Sequence, residues 1–100
     1  MQKSTTAAPE ELSDFLRALR SLPRGHSLGH YNGRRWSTSL EEAGNGSRFK
    51  LFAEELGGKD IVSFNLYMTG AGKPLLKPCE MSAEKVIGFV LGYKVAPPDD

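Results

Sequence analysis

Apolar residues at Leu12, Phe15, Leu16, Leu19 and Leu22 recur at the three-and-four spacing of one face of an α-helix. Pro9 suits the first helical position, where its missing N–H costs little, and Glu10 and Glu11 complement the positive end of the helix. Arg17 and Arg20 fall off the apolar stripe near the negative end, and Pro23 and Gly25 stop the element.

Beyond that point the period changes from helical to two. Ser27–Tyr31 is short, and Asn32-Gly33 is a strong two-residue hairpin signal. Strands are expected at Arg34–Glu42, Arg48–Leu56, Ile61–Met68 and Lys73–Lys77, with glycine-containing turns at 44–46, 57–58 and 69–72. Such spacing describes an antiparallel meander of four strands, or five if Ser27–Tyr31 pairs rather than forming an arm. A second helix follows. Ser82 is placed as its N-cap, Met81 and Val86 as a hydrophobic staple, and Val86, Phe89, Val90 and Tyr93 as its apolar stripe. The predicted fold is therefore α+β: an N-terminal helix, a meander sheet, and a C-terminal helix packed on the apolar face of the sheet. Residues 9–95 make up the expected single domain, with disordered ends at 1–8 and 96–100.

Alternation divides each strand into two sets. Trp36, Thr38 and Leu40 form an apolar set with Phe49, Leu51 and Ala53 and with Val62, Phe64, Leu66 and Met68. The opposite set gathers Arg35, Arg48, Lys50 and Phe52 with Ser63, Asn65 and Tyr67. One face should lie under the helices and the other should be open.

Charge sharpens this picture. The net charge is only +1, but between Arg17 and Lys50 seven positive side chains stand against Glu41 and Glu42. A localised excess of this kind is the footprint a polyanion leaves, and it is also what a solvated face carries. The single cysteine, Cys79, excludes an intrachain disulfide and fits a reducing, cytoplasmic compartment. The polar N-terminus has no apolar run behind it, so no signal peptide is expected, and no stretch has the length of a membrane span.

Motifs for catalysis fail on inspection. Thr69–Pro74 resembles the end of a phosphate-binding loop, but Tyr67 stands where its first glycine belongs and Pro74 replaces the magnesium-binding hydroxyl. His26 and His30 lie among Pro23, Gly25 and Gly29, which disfavour a helix, and no third metal ligand follows. The carboxylate beside Cys79 at Glu80 raises a thiol's pKa, the wrong direction for a nucleophile. Glu41-Glu42 and Glu54-Glu55 are adjacent strand residues, so each pair should split between faces. No enzyme and no cofactor is expected.

The order of segments resembles a known family. Asn32-Gly33-Arg34-Arg35-Trp36, then Gly46–Leu51, then Gly72-Lys73-Pro74, then Ser82 and an apolar helix, look like the positive-cofactor-four transcriptional coactivator domain. The first two segments are also similar to the Pur-alpha repeat. The match covers about residues 32–93. It implies a curved sheet backed by a helix, dimerised, that binds single-stranded DNA or RNA on the sheet. The resemblance carries over to Arg35, Arg48, Lys50 and Trp36; with Arg34 beside them and the open-face rings Phe52 and Tyr67, the candidate contacts are Arg34, Arg35, Trp36, Arg48, Lys50, Phe52 and Tyr67. Glu54, Glu55 and Asp60 depart from that family's pattern by placing negative charge at the far end of the sheet.

Two readings follow. A non-catalytic single-stranded nucleic-acid binder, with a role in transcription, requires a continuous positive patch with Phe52 or Tyr67 exposed inside it. A protein-interaction module that homodimerises through the sheet face or a helix requires an exposed apolar patch of several hundred Å².

Overall fold

A computed structural model describes residues 9–70 and 72–97. Helix α1 (Pro9–Ser21) leads into strands β1 (Gly25–Tyr31), β2 (Arg34–Ala43), β3 (Arg48–Glu55), β4 (Ile61–Met68) and β5 (Pro74–Pro78). Helix α2 (Ala83–Gly92) and a two-residue strand β6 (Lys94–Val95) complete the chain. The fold is α+β with an antiparallel meander, as the alternation implies, but the sheet has six strands in the order β5-β4-β3-β2-β1-β6. Two pairings account for the larger count, the first an alternative the sequence left open and the second unforeseen. Ser27–Tyr31 is a paired strand rather than an arm, in register with β2 from Gly25↔Leu40 to Tyr31↔Arg34. The chain after α2 returns to β1, pairing Gly29↔Val95 and His30↔Lys94, and the Ala96 amide donates to the Leu28 carbonyl at 2.8 Å. Ala96 is thus held on the sheet, not part of a loose tail. The disorder expected at 1–8 and the last three residues of that tail lie outside the described residues.

The turn chemistry explains why the strands meet in this register. Asn32 and Gly33 have φ of 56° and 77°, two consecutive left-handed residues. Their twist matches that of the flanking strands in a two-residue hairpin. Asparagine and glycine tolerate this backbone where other residues resist it.

Both helices lie on one face of the sheet. Phe15, Leu19 and Leu22 of the first helical segment are buried against Val62, Phe64 and Leu66 of β4, Phe49, Leu51 and Ala53 of β3, and Trp36 and Leu40 of β2. Val86, Ile87, Phe89 and Val90 bury the facing stripe of α2. Phe15 meets Phe64 at 5.7 Å between ring centroids, and Phe89 meets Trp36 at 4.9 Å, Tyr31 at 5.1 Å and Tyr93 at 5.1 Å. The Ser82 hydroxyl accepts the Lys85 amide at 3.1 Å, the cap expected for α2. Met81 packs, partly buried, against the core cluster to which Val86 belongs.

Two details of the core carry consequences. Gly29 lies under the Tyr93 ring, whose hydroxyl shares a hydrogen bond with Ser27 at 3.0 Å. A Cβ at position 29 would stand 2.6 Å from the ring carbons and closer still to the Lys94 carbonyl. We expect Gly29→Ala to prise β6 from β1 and cost about 1–3 kcal/mol, read as a lower urea midpoint. Thr38 is buried, and its hydroxyl has no hydrogen-bond partner among the described residues. Replacing an unpaired buried hydroxyl by a methyl removes a desolvation penalty of roughly 1–3 kcal/mol. Thr38→Val should therefore raise the melting temperature; a fall would mean that the hydroxyl is satisfied.

Candidate binding face of the sheet

Cross-strand partners in an antiparallel pair share a face, so the register assigns every side chain of the uncovered surface. Across β4, β3 and β2 it places Tyr67, Arg48 and Ala43 in one row, and Asn65, Lys50 and Glu41 in the next. Ser63, Phe52 and Ser39 follow, then Ile61, Glu54 and Ser37. Strand β5 adds Leu75 beside Tyr67 and Lys77 beside Asn65. At the other side β1 adds His26 beside Ser39, Leu28 beside Ser37 and His30 beside Arg35. The split of Glu54 from Glu55 onto opposite faces is visible in their partners, Ser37 and buried Trp36.

Arg35, Arg48, Lys50, Phe52 and Tyr67 thus share one exposed face, as the alternation predicts. Two other candidates do not join them. Trp36 is only 2% exposed and packs against Phe89, so its ring is closed to any surface ligand. Arg34 has the parity of Trp36 and donates to the Glu55 carboxylate at 2.8 Å, off the open face. The physical reason is period two: of Arg34-Arg35-Trp36, only the middle residue reaches the open side.

The positive run in the sequence is dispersed by the fold. Arg17 pairs with Asp14 on α1 at 3.0 Å. Arg24 pairs with Glu42 and lies 5.3 Å from the Phe49 ring centroid. Arg35 remains on the face, but six residues of β2 separate it from the partner of Lys50, a distance of about 20 Å at ~3.3 Å per residue. Glu41 stands opposite Lys50, and Glu54 two positions beyond Phe52 on the same strand. The face therefore carries charge of both signs around the Phe52 ring. A hollow of about 210 Å³ opens between Arg48, Lys50, Asn65 and Tyr67, with Glu41 in its wall.

Leu28, Phe52, Ile61, Tyr67 and Leu75 are each between 38% and 44% exposed, and all point to this face. Leu28, Ile61, Leu75 and Lys77 were not among the expected contacts. The parity of Leu28, Leu75 and Lys77 was readable only once the short strands β1 and β5 had partners to fix it, whereas that of Ile61 follows from the alternation of β4 itself. Among the described residues, no group of three or more histidine, cysteine, aspartate or glutamate side chains is placed to hold a metal ion. No helix among them is long and apolar enough to cross a membrane. Comparisons with family models, with curated proteins and with solved structures find no match to the chain.

The turn between β3 and β4 is anchored electrostatically. The Lys85 ammonium donates to the Asp60 carboxylate at 2.6 Å, holding its pKa below the ordinary value. Desolvation opposes this, while the Ile61 amide at 2.9 Å and the charges of Lys85 and Arg34 act with the main hydrogen bond. A carboxyl whose folded pKa is depressed contributes stability above its unfolded pKa, and that contribution disappears as pH falls through the folded value. An NMR titration should find the Asp60 midpoint on the acid side of an ordinary aspartate, and Lys85→Met should move it upward.

Proposed function

We propose that this chain is a non-catalytic binding domain that receives a protein surface on the open face of its sheet. The observation that carries this reading is the set Leu28, Phe52, Ile61, Tyr67 and Leu75, exposed together on the one face that no helix covers. Large apolar side chains left exposed among polar groups on one face are what a protein contact buries, and charges of both signs suit the polar rim of such a contact. Ser37, Ser39 and Ser63 lie between the apolar groups and keep the surface shallow. A polyanion asks for one sign of charge, and here Glu41 and Glu54 interrupt the cations. A cytoplasmic setting goes with this reading, since the lone Cys79 is exposed and unpaired in a disulfide.

One observation favours a second reading, a single-stranded nucleic-acid binder with the transcription-related role that the resemblance implies. Arg48, Lys50 and Lys77 surround Tyr67 and Asn65 at one end of the face. Cations for phosphates beside a ring for an unpaired base are the elements such binding uses.

Fluorescence anisotropy of a labelled ~20-nucleotide single strand separates the two, since counterion release makes phosphate binding salt-sensitive. The protein-surface reading expects no binding at low salt. Binding that weakens steeply with salt and is lost in the variant carrying Arg48→Ala and Lys50→Ala would replace it with the nucleic-acid reading.

A further inference from the structure

The charges on β3 are symmetric about Phe52. Lys50, Phe52 and Glu54 follow one another on the open side of this strand, a cation and a carboxylate equidistant from an exposed ring. Ser39 and Ser63 flank Phe52 on the neighbouring strands, leaving space on either side of the ring. The row through Ser63, Phe52, Ser39 and His26 runs across the strands near the middle of the sheet.

From this arrangement we infer that the open face binds a second copy of the chain, about a two-fold axis lying along that row. The inference rests on the reading of this face as a protein-binding surface and names its occupant. Rotation about such an axis lays each strand antiparallel across its own copy, within the ~30° crossing of aligned sheets. Phe52 then meets the partner's Phe52 over the serine-lined gaps. Lys50 meets the partner's Glu54, and by symmetry Glu54 meets the partner's Lys50, since a two-fold contact is self-complementary. Ile61 falls opposite Asn65 of the partner subunit, Glu41 opposite Ser37 of the partner subunit, and Arg35 opposite Ala43 of the partner subunit. Among these rows no two like charges face each other.

The size of the face agrees. Five strands at ~4.8 Å spacing and eight residues at ~3.3 Å outline roughly 600 Å² in flat projection, before the relief of the side chains is counted. A standard interface buries about 800 Å² per partner. Both helices already cover the opposite face, so a dimer of this kind is a four-layer sandwich with the two sheets innermost.

Sedimentation equilibrium of the full chain, with charge-reversed variants, tests the inference. The unaltered chain should dimerise. Lys50→Glu alone sets carboxylate against carboxylate in both halves of the contact, and Glu54→Lys alone sets ammonium against ammonium. Facing like charges are costly in an interface, so each single variant should weaken the dimer by about tenfold or more. Combining K50E with E54K in one chain restores opposite charges and should restore most of the affinity. An equimolar mixture of the two single variants should form a heterodimer more readily than either forms a homodimer. Both substituted positions are exposed, and circular dichroism confirms that each variant folds.

A chain that stays monomeric to about millimolar concentration overturns the second copy as occupant. So does a dimer that ignores every one of these charge combinations, because its contact then lies elsewhere. Neither result bears on the anisotropy titration, which judges the protein-surface reading separately.

Discussion

Everything else in this fold depends on how the Phe89 ring joins the C-terminal helix to the sheet. Its centroid lies 4.9 Å from Trp36 on β2, 5.1 Å from Tyr31 on β1 and 5.1 Å from Tyr93 just past the helix. Tilted, edge-on and stacked aromatic contacts of this kind add about 0.5–1.5 kcal/mol each beyond the area they bury. They also fix the direction of α2, which leaves the sheet at β5 and must deliver the chain to β1 at the opposite side. Tyr93 then sits over Gly29, and β6 pairs where no side chain intervenes.

Covering one face so completely decides the character of the other. The helices satisfy the apolar sets of the three long central strands, and those sets take no part in any surface. What remains outside is a shallow, serine-rich sheet surface carrying isolated large apolar groups and both signs of charge. Three of the seven cations between Arg17 and Lys50 are engaged elsewhere: Arg17 by Asp14, Arg24 by Glu42, Arg34 by Glu55. Surface pairs of this type are each worth about 0–1 kcal/mol. Their consequence here is electrostatic, because they remove positive charge from any common patch.

Much of the sheet was legible from local pattern. Alternation along Arg48–Glu55 and Ile61–Met68 assigned Phe49, Leu51, Val62, Phe64 and Leu66 to the core and Lys50, Phe52 and Tyr67 to the outside, and pairing preserves that division. The Asn32-Gly33 turn and the Ser82 cap were equally readable, since each rests on the backbone preference of one or two residues. The candidate site was only half readable. Resemblance grouped Arg34, Arg35 and Trp36 as one cluster, whereas the pleat sends Arg35 one way and Trp36 the other. Lys94–Val95 carries no pattern of its own, because two residues have no period.

By itself the sequence determined the α+β class, the places of both helices, the turns, and the two sets of side chains on each long strand. These are local properties, set by backbone sterics and by the period of apolar residues. Tertiary structure alone decided that β1 and β6 extend the sheet to six strands, that Trp36 is closed off, and that the run of cations is divided among separate partners. It also decided that Lys50, Phe52 and Glu54 stand near the middle of the open face, with Ser39 and Ser63 on either side of Phe52. The reason is that neighbours in space belong to different strands. The turns make consecutive strands adjacent, but the side chains each residue meets, and the return of β6 to β1 after the helix crosses behind the sheet, are fixed only once the strands pair.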